Sequence, residues 1–162
     1  VVAIDGGTTT LQLVRHLPLF LEATVVTHSP TIAAALQHHR GVDVILIGGR
    51  LFKHSMVSVG TRTTKMIATI QTDLFFLGAT GLHPDAGVTT ADWEEAAVKR
   101  TFAGQAAEVV LLVTPEKLNA ASPFVVLPVL ELDTLIFDHD VAAGEVERYE
   151  GLGVSVITAE KW

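Results

Sequence analysis

The residues best placed to do chemistry stand at the front of the chain, in Asp5-Gly6-Gly7-Thr8-Thr9-Thr10. Two glycines let a backbone approach a ligand closely, and three threonines supply hydroxyls. Four apolar residues precede the loop, and Leu11, Val14 and Leu17 follow at one-face helical spacing. A strand that ends in glycines and opens a helix leaves unpaired N–H groups where the helix dipole favours an anion. One reading is a phosphate cradle. The other is a tight turn whose threonine only caps the helix. The lysine of a nucleotide-binding P-loop and the spacing of G-x-G-x-x-G are both missing. A second pair, Glu95 and Lys99, stands at i, i+4 and faces one side of a helix. It is either a surface ion pair or a carboxylate and an ammonium presented to a polar ligand. Lys117, His28 and Arg50 follow strand-like runs and are each either ligand contacts or ordinary loop side chains.

The elements that must position these residues are legible as an alternation. Apolar runs at Val1–Ile4, Thr24–Thr27, Val42–Ile47, Leu74–Gly78, Val109–Val113, Leu135–Phe137 and Val154–Ile157 read as strands. Helical patterns at Thr8–Leu17, Thr31–His38, Thr61–Ile70, Trp93–Ala103 and Ala142–Glu150 lie between most of them. Strands apolar throughout are covered on both faces, so the pattern predicts an α/β fold with three α/β/α layers and a mostly parallel sheet. In such sheets ligands bind at the carboxyl ends of the strands. That rule selects Thr27 and His28, Gly48, Gly49 and Arg50, Thr80 and Gly81, and Lys117. Gly48-Gly49 implies positive φ or close backbone approach. His83-Pro84-Asp85-Ala86-Gly87 is a turn between two short excursions, Leu82 and Val88-Thr89-Thr90, and Phe124–Leu127 is a possible extra strand. Asp92 and Glu95 form a capping-box pattern. The turn-rich segment Thr80–Asp92 is the candidate cover for a bound ligand. Asp138-His139-Asp140 has metal-ligand composition, but three consecutive loop residues are not expected to face one ion, so no metal site is assigned.

Composition bounds the rest. The 162 residues are 49% apolar and 18% charged, which describes one globular domain with a substantial core. There is no cysteine, which excludes disulfides, thiolate metal sites and thiol catalysis. No apolar run is as long as a membrane span, and no signal peptide is visible. The expectation is a cytoplasmic protein without a membrane partner. The formal charge of −7, with no Lys/Arg cluster, argues against direct contact with DNA. The first residue already falls in a strand, which suggests a segment of a longer chain.

Taken in order, Asp5-Gly-Gly-Thr-Thr-Thr, Thr27, Ile47-Gly-Gly, Gly78-Ala-Thr-Gly, Gly87-Val-Thr-Thr, Glu94-Glu-Ala-Ala-Val-Lys-Arg, Lys117 and Leu132-Asp-Thr-Leu-Ile-Phe-Asp form a recognisable series. The chain resembles the C-terminal effector-sensing domain of DeoR-family bacterial transcriptional repressors. The resemblance implies a fold related to ribose-5-phosphate isomerase, glucosamine-6-phosphate deaminase and CoA transferases. It also implies a phosphorylated sugar or sugar derivative as effector, no cofactor, and a homo-oligomer, dimer or tetramer. Operator DNA would be bound through an N-terminal helix-turn-helix that is absent here. The family loop usually reads Asp-Ser-Gly-Thr-Thr, and relatives often have Thr-Asn where this chain has Thr27-His28. The resemblance raises Lys99 and Lys117 as phosphate-neutralising cations, with Arg50 behind them. An isomerase or deaminase using Glu95 and Lys99 as acid and base is the alternative.

Overall fold

The computed structural model describes residues 1–160. Seven strands form one parallel sheet: β1 (Val2–Ile4), β2 (Ala23–Thr27), β3 (Val42–Leu46), β6 (Thr72–Leu77), β9 (Ala106–Val113), β11 (Thr134–Phe137) and β12 (Ser155–Thr158). Their order across the sheet is β12-β11-β9-β6-β1-β2-β3, with parallel pairing throughout. All seven strands read from the sequence are present, and the fold is the expected three-layer α/β class. The numbering reverses direction between β1 and β6. From β1 the chain winds outward through β2 and β3, then returns and winds the other way. The crevice at the carboxyl ends of β1 and β6 is therefore the topological switch point, where open α/β sheets bind ligands.

Period-2 alternation divides the sheet's side chains between two cores. Ile4 and Val25 pack with Val14 of α1 (Thr8–Arg15) and Ile32 of α2 (Pro30–Ala35). Ala3, Val26 and Phe75 point the other way, towards Ile67 of α3 (Thr61–Ile67) and Phe102 of α4 (Trp93–Ala103). The fifth helix, α5 (Ala143–Glu150), lies against β12. Helix starts follow residue chemistry. The Ser29 hydroxyl accepts the Ile32 N–H at the head of α2, with Pro30 at the first position. Asp92 caps α4 by accepting the Glu95 N–H at 2.9 Å. The capping box is only half formed, because the Glu95 carboxylate is engaged elsewhere, by Lys99 and Ser55.

Two smaller sheets complete the described fold. β7 (Gly81–His83), β8 (Gly87–Thr90) and β10 (Phe124–Leu127) form an antiparallel sheet in the order β10-β8-β7. The candidate cover Thr80–Asp92 is therefore no loose loop. Leu82 and Val88 are fully buried, and the Thr80 N–H is donated to the Thr89 carbonyl. A hairpin of β4 (Arg50–Phe52) and β5 (Val57–Val59) was not foreseen. Its tip, Lys53-His54-Ser55-Met56, includes Met56 at φ 52°, a left-handed conformation that methionine seldom adopts.

One feature of the core is imperfect. Tyr149 is fully buried with its ring edge-on to Phe137 at 5.6 Å. Its hydroxyl finds no hydrogen-bond partner among the described residues. Burial, reinforced by the nearby Glu145 carboxylate, pushes the phenol up to about 12. Removing an unpaired buried hydroxyl while keeping the ring relieves a desolvation cost of about 1 kcal/mol. Tyr149→Phe is expected to raise Tm by roughly 2–4 °C. A lower Tm by calorimetry would mean that the hydroxyl has a stabilising partner.

Candidate functional site

A cavity of about 490 Å³ opens at the switch point. Its base is the loop after β1 and its far wall is Gly78-Ala79-Thr80 after β6. Gly7 is the N-cap of α1, with φ 150° and ψ 166°, a region open almost only to glycine. Having no side chain, it cannot cap the helix, so the first-turn N–H groups are left for another acceptor. The hydroxyls divide in use. Thr10 is buried and donates to the Gly7 carbonyl at 3.1 Å. Thr9 accepts from Lys117 Nζ at 2.8 Å, and Thr8 is exposed at the cavity. The hydroxyls that face the cavity from the loop are thus those of Thr8 and Thr9. Gly6 is small for a packing reason, since a Cβ there would meet Val57 Cγ1 at 2.3 Å. Gly78 is small because a Cβ would meet the Gly6 carbonyl oxygen at 2.7 Å.

Beneath the cavity sits a buried charged knot. Asp5 is fully buried and accepts from the Gly6 N–H, from the Gly78 N–H and from His28 Nε2, each at 2.8 Å. Lys99 Nζ lies 2.5 Å from Asp5 Oδ2, 3.0 Å from the Gly78 carbonyl and 3.2 Å from Glu95. His28 is also fully buried, with Nδ1 2.8 Å from the Ser58 carbonyl. Both its neighbours, the Asp5 carboxylate and the Ser58 carbonyl, are acceptors. Burial alone would raise the Asp5 carboxyl, but Lys99 and His28 outweigh it and hold it down at about 2. Burial likewise works against the Lys99 ammonium, and Asp5 and Glu95 overcome it, so its pKa is raised.

Of the residues selected from sequence, Gly6, Gly7, Thr8, Thr9, Thr10, Thr80, Glu95, Lys99 and Lys117 line the cavity. The others are placed differently. Asp5 and His28 lie under the floor as supports. Thr27 is fully buried and accepts the Ser29 N–H at 3.1 Å. Gly81 is buried in β7, where a Cβ would meet the Ala120 carbonyl oxygen at 2.4 Å. Gly48 and Gly49 follow β3, two strands from the switch point, and neither has positive φ. Gly49 is small because Thr63 packs against it, with Oγ1 2.0 Å from any Cβ. Arg50 starts β4 and pairs with Glu94 outside the cavity. The surface reading of Glu95 and Lys99 fails, since they are 6% and 2% exposed.

Lys99 faces the cavity but has three hydrogens and three acceptors already, which leaves Lys117 as the lysine with donors to spare. Burial, together with the charge of Lys99, lowers the Lys117 pKa. Residues not selected include His54, Ser55 and Met56 of the hairpin tip, Ser29 and Thr31 at the head of α2, and Glu116 beside Lys117. Ser55 Oγ donates to Glu95 Oε2 at 3.2 Å, and Ser29 Oγ donates to the Met56 carbonyl at 3.2 Å. A signal for the hairpin exists: three polar residues, Lys53-His54-Ser55, interrupt the apolar residues between Leu51-Phe52 and Val57-Ser58-Val59. The Asp138-His139-Asp140 side chains do converge, contrary to expectation, with candidate donor atoms within 4.8 Å of one another. The imidazole bridges the two carboxylates, 2.7 Å from Asp138 and 3.2 Å from Asp140.

The knot makes stability depend on acid. Asp5 has its pKa depressed from 3.8 to about 2, so its contribution is complete above pH 4 and lost as pH falls through 2. The shift corresponds to roughly 2 kcal/mol. Lys99→Met leaves the Asp5 carboxylate buried without its main countercharge, and is expected to cost about 3–5 kcal/mol. The acid midpoint of the variant should move up towards pH 4. Chemical denaturation and a circular-dichroism acid titration check both, and an unchanged acid midpoint would remove Asp5 from the account.

Among the described residues no helix is long and apolar enough to cross a membrane. The comparisons agree with the site's character. The DeoR C terminal sensor domain family matches residues 1–139. The HTH-type transcriptional regulator GlpR of Haloferax volcanii is 33% identical, over 97% of this chain and 61% of its own. The HTH-type transcriptional repressor GlcR of Bacillus subtilis is 28% identical, over 99% and 61%. The HTH-type transcriptional regulator GolR of Listeria innocua is 27% identical, over 98% and 63%. The chain spans about three fifths of the length of these relatives. All three are named as regulators or repressors and none as an enzyme. By this match, the chain belongs to the DeoR C-terminal sensor domain family.

Proposed function

We propose that this sensor domain binds a phosphorylated sugar or sugar derivative at the switch-point cavity. The phosphate would sit on the first-turn N–H groups of α1, with the Thr8 and Thr9 hydroxyls and the Lys117 ammonium around it. The observation that carries the reading is the uncapped helix start beside Lys117, whose Nζ is 2.8 Å from Thr9 Oγ1. A free helix start and a cation with spare donors are what an anionic group requires. Lys99 and Asp5 hold the loop in place and do not meet the phosphate. Occupancy would be passed to operator DNA by a helix-turn-helix outside this chain, in a cytoplasmic homo-oligomer. The relatives' HTH-type names support the helix-turn-helix. The effector must bind one conformation better than another, by about 1–3 kcal/mol for a useful response.

Inorganic phosphate at high concentration should raise Tm and compete with sugar phosphates in calorimetry. Lys117→Met should weaken sugar-phosphate binding by about 1.5–3 kcal/mol, the value of a hydrogen bond to a charged group. Thr9→Val, which keeps the side-chain shape, should weaken it by about 1 kcal/mol. The same affinity in Lys117→Met as in the parent protein, measured at low salt, would move the phosphate elsewhere.

A further inference from the structure

Lys117 is placed for covalent chemistry as well as for binding. It ends a short 3-10 turn, Pro115–Lys117, and lines the cavity half-buried. Its Nζ lies 2.8 Å from Thr9 Oγ1 in the first turn of α1, and that neutral hydroxyl is its hydrogen-bond partner among the described residues. Burial, with the charge of Lys99, outweighs the carboxylates of Glu116 and Asp5 and favours the neutral amine, the form that attacks carbon. The other lysines differ. Lys99 is buried, and its three hydrogens face Asp5, Glu95 and the Gly78 carbonyl. Lys53 and Lys65 are exposed and do not line the cavity. Lys161 lies outside the described residues.

Resting on the phosphate reading above, we propose that Lys117 is a modification site, acylated by small acyl phosphates that the cradle holds by their phosphate, and that acylation switches the site off. An acyl carbon is one bond from a phosphate oxygen. A phosphate on the uncapped N–H groups of α1, beside Lys117, brings that carbon to about 3–3.5 Å from Nζ, the distance of a near-attack conformer. The Nζ lone pair forms the C–N bond, the C–O bond to phosphate breaks, and the proton lost by nitrogen leaves with the orthophosphate. The N–H groups that bind the phosphate also stabilise it as the leaving group. The product amide has lost its charge and two of the ammonium's three donors. A modified chain therefore lacks the cation of the cradle.

The test incubates the intact chain with acetyl phosphate and locates acetylation by peptide mass spectrometry over time. Lys117 is expected to react at least about tenfold faster than the exposed Lys53 and Lys65, the gain coming from positioning. Inorganic phosphate should slow Lys117 and leave the other two unchanged. Acetic anhydride, which carries no phosphate, should show a smaller preference for Lys117, and this separates delivery by the cradle from ordinary lysine reactivity. The chain acetylated at Lys117 should no longer gain Tm from inorganic phosphate. Lys117→Arg, which keeps the charge, should keep that gain. Equal rates at the three lysines would overturn the inference. So would a Lys117 preference that inorganic phosphate does not reduce, or one as large with the anhydride. In each of these cases a parent Tm that still rises with inorganic phosphate leaves the cradle standing. A parent Tm that does not respond to inorganic phosphate would overturn the phosphate reading itself, and the inference with it.

Discussion

The buried Asp5 carboxylate holds this architecture together at the switch point. It ends β1, takes a backbone N–H from the loop it opens and another from Gly78 after β6, and faces His28 after β2 and Lys99 of α4. Four elements are thus fixed to one side chain. A charge buried this deeply is costly unless paired and hydrogen-bonded. Here both oxygens are satisfied and two basic side chains face them, which is why the carboxyl is held at about 2 rather than raised by burial. The geometry of the Gly6–Thr10 loop follows from that constraint, and so does the use of Lys99. A lysine that gives all three hydrogens to Asp5, Glu95 and the Gly78 carbonyl has none left for a ligand.

Under the proposed function, this division of labour separates structure from recognition within one cavity. The alternative of acid–base catalysis by Glu95 and Lys99 asks both groups to exchange protons with a substrate. The pair instead stabilises each other's charge in a site almost closed to water, and the Lys99 proton is bound more tightly than in a free lysine. Lys117 differs in every respect. It is partly exposed, its pKa is lowered, and its named contact is a neutral hydroxyl. Bringing an anion beside such a group would relieve its electrostatic cost, which supports the proposal that Lys117 is the binding cation.

How much of this was legible in the sequence follows from which interactions are local. Strands and helices announced themselves through periodicity, and Trp93–Ala103 forms over the bounds its pattern marks. The loop between β1 and α1 was legible because a strand, two glycines and three threonines are contiguous. Strand order was not, because it depends on pairing between segments far apart in sequence. Without it the carboxyl-end rule could not rank the loops. Gly48-Gly49 looked as informative as Gly78, yet one lies after an outer strand and the other at the switch point. Burial direction was equally hidden. His28 and Thr27 end a strand beside the cradle, but their side chains turn beneath the floor. The i, i+4 spacing of Glu95 and Lys99 cannot tell an outer helix face from an inner one. The β4–β5 hairpin was missed because its strands are three residues each, too short for a period-2 signal.

That hairpin changes where ligand occupancy would be felt. The Thr80–Asp92 segment is tied into a three-stranded sheet with buried apolar side chains, so moving it would expose core. The tip of β4–β5 rests on less. Ser55 donates to Glu95, and Ser29 donates to the Met56 carbonyl, each at 3.2 Å, while Met56 holds an unfavourable left-handed conformation. The neutral bond contributes about 1 kcal/mol and the one to the Glu95 carboxylate about 1.5–3 kcal/mol. Val57, whose Cγ1 would lie 2.3 Å from a Cβ at Gly6, packs the tip's strand against the loop between β1 and α1. The hairpin thus touches both Glu95 and the loop between β1 and α1, while the Asp5 knot holds the sheet crevice in place.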